Sequence, residues 1–297
     1  MNILEFNDIH RAYRRDRDVL QGVSFSLQAG EVVGLLGKNG AGKTTLLRMA
    51  MGLIEAQRGT VHLFGLDPRR EPLEIKQRVG YVSEEQILPP FLRVGEVLGL
   101  HRQLFPTWDG ELASRLVERF RLSPQARIKS LSKGQARQVA LLCAVSHRPE
   151  LLLLDEPAGG LDPVMRREFL ETAIHLLNEA GTTILFSSHY MFDVERLARR
   201  VVMLHRGQVL LDSPLDDLRE CYSLALVPRG AGTGPEALRG LEGCLSVRER
   251  PEAIHVVFQL APQKAHALLK RELGLEAARC RAIALEEMFV ELLGGQL

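Results

Sequence analysis

The chain has 297 residues, 25% of them charged, and its 38 Lys and Arg against 37 Asp and Glu leave a formal charge of +1. That length accommodates one large domain with a smaller companion, and the balanced charge offers no polybasic surface of the kind that selects nucleic acid or anionic lipid, so no nucleic-acid partner is expected. The four cysteines, Cys143, Cys221, Cys244 and Cys280, form no CxxC pair, which argues against a zinc site or a disulfide framework and fits a reducing compartment.

The N-terminal stretch Met1 to Arg15 mixes Glu5, Asp8 and arginines among apolar residues and lacks the apolar core of a signal peptide. No run reaches the roughly 18 apolar residues that a membrane-spanning helix needs. Strands are expected at Ile3 to Ile9 and, through the alternation of Val23, Phe25 and Leu27, at Leu20 to Leu27, with Arg14 to Asp18 as the turn between them.

From Glu31 to Leu36 a short apolar run enters the glycine-rich Gly37 to Gly42, after which Lys43 to Gly52 has helix-forming composition. The octet Gly37-Lys38-Asn39-Gly40-Ala41-Gly42-Lys43-Thr44 fits GxxxxGK[ST], placed between strand and helix as the motif requires. The chemistry follows from the spacing. Glycines let the backbone turn its N–H groups around phosphate, and the helix N-terminus adds positive potential. Lys43 reaches the terminal phosphates, and the Thr44 hydroxyl is placed to ligate Mg2+. The phosphate-binding set is therefore Gly37, Asn39, Gly40, Ala41, Gly42, Lys43, Thr44 and the adjacent Thr45.

A charged helical region is expected from about Glu96 to Arg121, broken by Pro106 and ending near Pro124. Ser132 to His147 has helical periodicity, and the wholly apolar Leu151 to Leu154 reads as a buried parallel strand. That strand delivers Asp155 and Glu156 from its end, and two adjacent acids suffice for two jobs: Asp155 in a magnesium shell, Glu156 to orient or deprotonate an attacking water. Asp162 before Pro163 is an N-cap followed by proline at the first helical position, and Gly181 ends that helix. Thr182 to Ser187 is a further buried strand, and Val201 to Leu204 with Gln208 to Leu211 form a hairpin about Arg206-Gly207. Strands alternating with helices imply a mainly parallel sheet with phosphate chemistry at its carboxyl end.

Beyond Pro214 the character changes to a glycine- and proline-rich Pro228 to Pro235, strands at Leu245 to Val247 and Ala253 to Phe258, and helices at Gln263 to Leu273 and Leu285 to Leu293. This reads as a small α+β appendix.

Leu131-Ser132-Lys133-Gly134-Gln135, just upstream of the acidic strand, resembles the LSGGQ signature of the ATP-binding-cassette (ABC) family at four of five positions. Ser132 and Gly134 open a helix, so a hydroxyl and free N–H groups make a second anion site. The resemblance implies that this site, with Lys133 and Gln135, completes the nucleotide pocket of a facing cassette. Gly160-Leu161-Asp162 looks like the family's interface-crossing loop. Ser187-Ser188-His189 resembles the loop whose histidine contacts the terminal phosphate, and Tyr13 lies where the family stacks an aromatic ring on adenine. Two positions depart from the pattern. Glu84 stands where a glutamine ligates magnesium after Val79-Gly80-Tyr81-Val82, and Lys133 replaces a glycine.

The resemblance covers about residues 1–215 and implies an α/β P-loop NTPase cassette: a mainly parallel sheet core, an antiparallel β subdomain, and a helical subdomain at about 87–147. Residues 216–297 form the appendix. ATP and Mg2+ are the implied cofactors. The implied partners are a second cassette, identical or related, and a transmembrane permease, with this chain cytoplasmic and peripheral to the inner face of the membrane. Ala284 to Phe289 and Phe105 to Asp109 are similar to bacterial exporter-type subunits, so export is the expected direction. Residues Glu84 to Glu96, with Ile87, Leu88, Pro89, Pro90 and Phe91, are the expected permease contact. Soluble cassettes that remodel ribosomes or DNA are disfavoured: there is one phosphate loop, and Thr44 to Ser132 holds no sustained heptads.

Overall fold

The structure, a computed structural model, describes residues 2–14, 17–85, 88–161, 163–178, 181–230 and 233–293. It separates into two compact units, Met1–Asp212 and Ser213–Leu297.

In the first unit, β1 (Asn2–Arg14) and β2 (Arg17–Gln28) pair antiparallel, with the register running out to Arg14 opposite Arg17. The expected turn at Arg14 to Asp18 is thus narrower than charge density suggested. Arg14 and Arg17 already belong to the ladder, and Arg15 and Asp16 lie outside the described residues. Next come β3 (Val32–Gly37), buried at every position, and α1 (Lys43–Ala50). Strand β4 (Arg58–Leu63) then pairs with β1 to complete a three-stranded antiparallel sheet of order β2-β1-β4.

The chain continues through α2 (Pro72–Arg78), β5 (Val79–Val82), α3 (Val94–Leu104), α4 (Gly110–Arg119) and α5 (Lys133–Val145). The Asp109 carboxylate caps α4 by accepting from the Leu112 N–H at 2.8 Å, so Pro106 falls in the link between two helices rather than in a kinked one. After α5 come β6 (Leu151–Leu154), α6 (Pro163–Asn178), β7 (Thr183–Ser188), α7 (Met191–Leu197), β8 (Arg200–His205) and β9 (Gln208–Pro214). Arg206 and Gly207 both have positive φ, 47° and 76°, the backbone that a two-residue hairpin between β8 and β9 requires.

The second sheet has order β5-β6-β7-β3-β8-β9, and β5, β6, β7, β3 and β8 run parallel. Its apolar strands carry the core: Leu35, Leu153, Leu185 and Val202 are fully buried and cluster with Leu4, Val23 and Leu27 of the antiparallel sheet. The parallel order places β3 between β7 and β8, so the loops leaving β3, β6 and β7 gather at one edge. That is where an open α/β sheet holds its ligand.

The second unit contains α8 (Leu215–Cys221), β10 (Ser223–Pro228), α9 (Pro235–Arg239), β11 (Cys244–Glu249), β12 (Ala253–Phe258), α10 (Pro262–Leu273), β13 (Arg279–Ala282) and α11 (Leu285–Leu293). From β10 to β13 the order βαββαβ with an antiparallel sheet β11-β12-β10-β13 is the split βαβ arrangement. Ala225, Val227, Val256 and Phe258 project from its strands onto Ala265 and Leu269 of α10 and Leu238 of α9.

Candidate functional site

The glycine-rich turn between β3 and α1 is shaped by close approaches that exclude a side chain. Gly42 has φ +106°, and a Cβ there would sit 2.5 Å from Leu20 Cδ2; a Cβ on Gly37 would meet the Leu204 carbonyl at 2.7 Å. Lys43 opens α1 yet is almost fully buried. Its ammonium donates to the Gly37 carbonyl at 2.7 Å and lies 3.1 Å from Glu156 Oε1.

At the end of β6 the two acids meet different partners. Asp155 Oδ1 accepts from the Thr44 hydroxyl at 3.0 Å and from the Ser187 hydroxyl at 2.8 Å. Burial holds its carboxyl above the usual carboxylate range, opposed by those two hydroxyls. The next residue turns sharply: Glu156 has φ +44°, a left-handed conformation that costs a non-glycine residue about 1–2 kcal/mol. It is held there at both peptide groups. Its N–H donates to Ser187 Oγ at 2.7 Å, and its carbonyl accepts from Gly159 N–H at 3.0 Å and from Arg137 Nη1 at 2.9 Å. The side chain thus reaches Lys43 with one oxygen and His189 Nδ1 with the other, at 2.8 Å.

Lys43, Thr44 and Glu156 open onto a cleft of about 640 Å³ lined by Tyr13, Val19, Asn39 to Thr45, Glu84 and Glu156. Tyr13, half exposed, stands at one wall with its hydroxyl 3.4 Å from Thr45 Oγ1 and Arg11 over its ring. An exposed ring over a phosphate loop is placed to stack on a nucleobase. Glu84 is exposed beside Ser83, so its carboxylate sits where water competes for it.

A divalent cation fits the chemistry of this edge. Among the described residues, Asp155 Oδ2 is buried with no hydrogen-bond partner, while Thr44 is already joined to Oδ1. Hard cations take such oxygens. No group of three or more His, Cys, Asp or Glu among the described residues could hold a metal alone, so phosphate oxygens would have to share the shell.

The signature segment lies elsewhere. Ser132 caps α5 in a reciprocal box: its hydroxyl accepts from Gln135 N–H at 3.1 Å, and the Gln135 amide oxygen accepts from Ser132 N–H at 3.1 Å. Gly134 is packed so that a Cβ would stand 3.0 Å from Met165 Cε, while Ser132 and Lys133 face outward. None of Ser132 to Gln135 is among the described residues lining the cleft. Asp162, Gln86 and Ile87 lie outside the described residues.

Sequence reasoning missed Arg137 altogether and treated Ser187 only as part of a motif. A positive charge two positions beyond the signature, at a buried position of α5, is what the structure adds, and the polar neighbours Gln135 and Gln138 kept it from standing out in the sequence.

The family described as ABC transporter matches residues 20–159. The linearmycin resistance ATP-binding protein LnrL of Bacillus subtilis is 36% identical over 221 residues, spanning 73% of this chain and 70% of that protein. Nod factor export ATP-binding protein I of Burkholderia orbicola is 33% identical over 300 aligned positions, spanning 99% of this chain and 98% of that protein. A solved structure described as the ATP-binding subunit of an ABC transporter superposes with a TM-score of 0.65 at 31% identity, covering 73% of this chain and 92% of the other.

Proposed function

The chain belongs to the ABC family as a transporter ATPase that binds and hydrolyses ATP, and from that premise we propose that it energises export through a separate transmembrane permease at the cytoplasmic face of a membrane. No helix among the described residues is long and apolar enough to cross a membrane. The resistance and export names of LnrL and the Nod factor protein support the outward direction. The permease would dock beside Leu88 to Phe91, where Phe91 is largely exposed and a groove of about 290 Å³ runs between Leu88, Tyr81, His101 and Phe105.

One observation carries the reading: among the described residues the cleft is lined by the phosphate loop, Glu84 and Glu156 of one chain, while the outward-facing cap of α5 is absent from its lining. A site open on one side and a spare anion site on another surface complement each other head to tail. Two cassettes would close on two ATP molecules, each held by Lys43 and the loop of one chain and by Ser132 to Gln135 of the other. Tyr13 would stack on adenine.

Glu156, already oriented by Ser187 and Arg137, takes a proton from the attacking water, and His189 steadies the terminal phosphate from its position against Glu156. Thr44 and Asp155, with Glu84 as a third candidate, would hold Mg2+, which supplies charge neutralisation to the phosphates when bound. Asp162 would take part in the interface loop.

Sedimentation of the Glu156→Gln variant with Mg-ATP tests the arrangement. A shift from monomer to dimer is expected, and a strictly monomeric species, even with the permease present, would contradict it.

A further inference from the structure

Arg137 is more than nine-tenths buried, and among the described residues it makes no hydrogen bond to a carboxylate. Its Nη1 donates to the carbonyls of Glu156 at 2.9 Å and Pro157 at 2.7 Å, and its Nη2 donates to the Glu84 carbonyl at 3.2 Å. Burial pushes the guanidinium below its usual pKa, and the Glu84 and Glu156 charges only partly offset this. A buried cation held by backbone carbonyls is an expensive way to join a helix to two strand ends, since an apolar side chain of similar volume would pack there without the desolvation cost.

The expense becomes intelligible at Glu156. Its left-handed backbone is unfavourable for a glutamate, and the carbonyl that Arg137 holds belongs to that same strained residue. Gly159 leaves that carbonyl uncrowded: a Cβ there would stand 3.3 Å from the Glu156 oxygen. Arg137 also lies on α5, the helix that Ser132 caps. One side chain therefore ties the signature helix to the peptide of Glu156 and to that of Glu84.

We propose that Arg137 is a positioning residue for ATP hydrolysis: its guanidinium fixes the Glu156 peptide so that the carboxylate is aimed for proton abstraction, and so couples the placement of the signature helix to that of the base. It acts through the Glu156 peptide and is not among the described residues lining the cleft. The inference rests on the reading of Glu156 as the base.

The test compares Arg137→Met and Arg137→Lys in the full-length chain, measuring steady-state kcat and KM for Mg-ATP, fluorescent-nucleotide binding and thermal unfolding. Displacing a catalytic group by about 1 Å costs about 100-fold in rate, so Arg137→Met should lose about that in kcat with nucleotide affinity and KM held within about twofold. Arg137→Lys keeps donors on a similar stem and should recover about a tenth of the wild-type rate. In a Glu156→Gln background, Arg137→Met should cause no further loss in single-turnover rate, because the group it positions is gone.

Should Arg137→Met fail to fold, Arg137→Lys decides: an unchanged kcat, or a rise in KM in place of a fall in kcat, overturns the proposal. An additive loss in the Glu156→Gln background overturns it as well. If Glu156→Gln itself turns over normally, the reading of the base falls and this inference with it. A dead Glu156→Gln beside fully active Arg137 variants removes the inference alone.

Discussion

Lys43 Nζ and Glu156 Oε1 stand 3.1 Å apart with both side chains nearly excluded from water, an ion pair rather than a directional hydrogen bond. The loop cation is thus engaged by the acid proposed as the base for hydrolysis. An incoming terminal phosphate must draw Lys43 away, and that separation leaves the carboxylate available for water.

Glu156→Gln should therefore bind ATP more tightly than the wild type, not merely as well. Unit charges about 4 Å apart exchange about 4 kcal/mol at an effective dielectric of 20. Hydration and the cation on the phosphates offset most of that, so a gain of about tenfold is expected. Fluorescent-nucleotide titration measures it, and a weaker complex would mean that the pair does not compete with phosphate. Turnover should fall at least 100-fold, the scale of general base catalysis.

Asp155 gives a prediction in pH. Burial chiefly, with the Glu156 charge adding, holds its carboxyl above 3.8, while Ser187, Thr44 and Lys43 pull it down. The native state binds this proton more tightly than the unfolded chain, so the group's contribution to stability is complete below about 3.8 and is lost as pH rises through the folded value. At neutral pH the ionised group is a net cost. Asp155→Asn, which retains an acceptor for Thr44 and Ser187, should raise the Tm of the nucleotide-free chain by about 2–4 °C near pH 7. The gain should shrink in acid, and magnesium-dependent turnover should be lost. Thermal melts across the pH range check the sign.

The phosphate loop, the acidic strand and the helix cap at Ser132 were legible because each is local: strand, loop and helix follow one another, and the capping partners are three residues apart. Strand β4 was not, because its first positions are exposed and its pairing depends on β1, far earlier in the chain. Strand β13 is short, arginine-rich and largely exposed, and its pattern carries no apolar alternation. Arg137 was illegible for a related reason: its partners are carbonyls at Glu84, Glu156 and Pro157, and any residue type supplies a carbonyl. Tertiary contacts made to the backbone leave no mark on the sequence of the acceptor.

Tyr13 is half exposed, and among the described residues its hydroxyl makes one long contact, 3.4 Å to Thr45 Oγ1. Its ring rather than its hydroxyl should matter. Tyr13→Phe is expected to bind ATP as the wild type does, and Tyr13→Ala to bind about fivefold to tenfold more weakly, the loss of one stacked pair of about 1 kcal/mol. Equal losses in both variants would shift the role to the hydroxyl.

Glu84 lines the cleft but is solvated, so its charge is screened. Glu84→Gln should alter the magnesium dependence of turnover by only a few fold, and more at low ionic strength than at high. Titrating Mg2+ at two salt concentrations separates a ligand from a bystander. A complete loss of activity would make Glu84 indispensable to the metal shell.

Ser132 caps α5 through its hydroxyl, and the proposed function asks the same hydroxyl to meet a phosphate across an interface. Substitution by alanine confuses the two, because it removes a cap contributing about 1 kcal/mol together with the anion contact. Aspartate separates them. It caps a helix as well as serine does and suits the positive end of the helix dipole, so Ser132→Asp should fold with its Tm within about 2 °C of the wild type. A carboxylate facing an incoming phosphate is repulsive, however. In a Glu156→Gln background the added Ser132→Asp should leave ATP binding to each chain intact, since Ser132 is not among the residues lining its own cleft. The ATP-induced dimer should disappear. Sedimentation velocity with and without Mg-ATP distinguishes the outcomes: a dimer that survives the aspartate would place the second anion site somewhere other than the cap of α5.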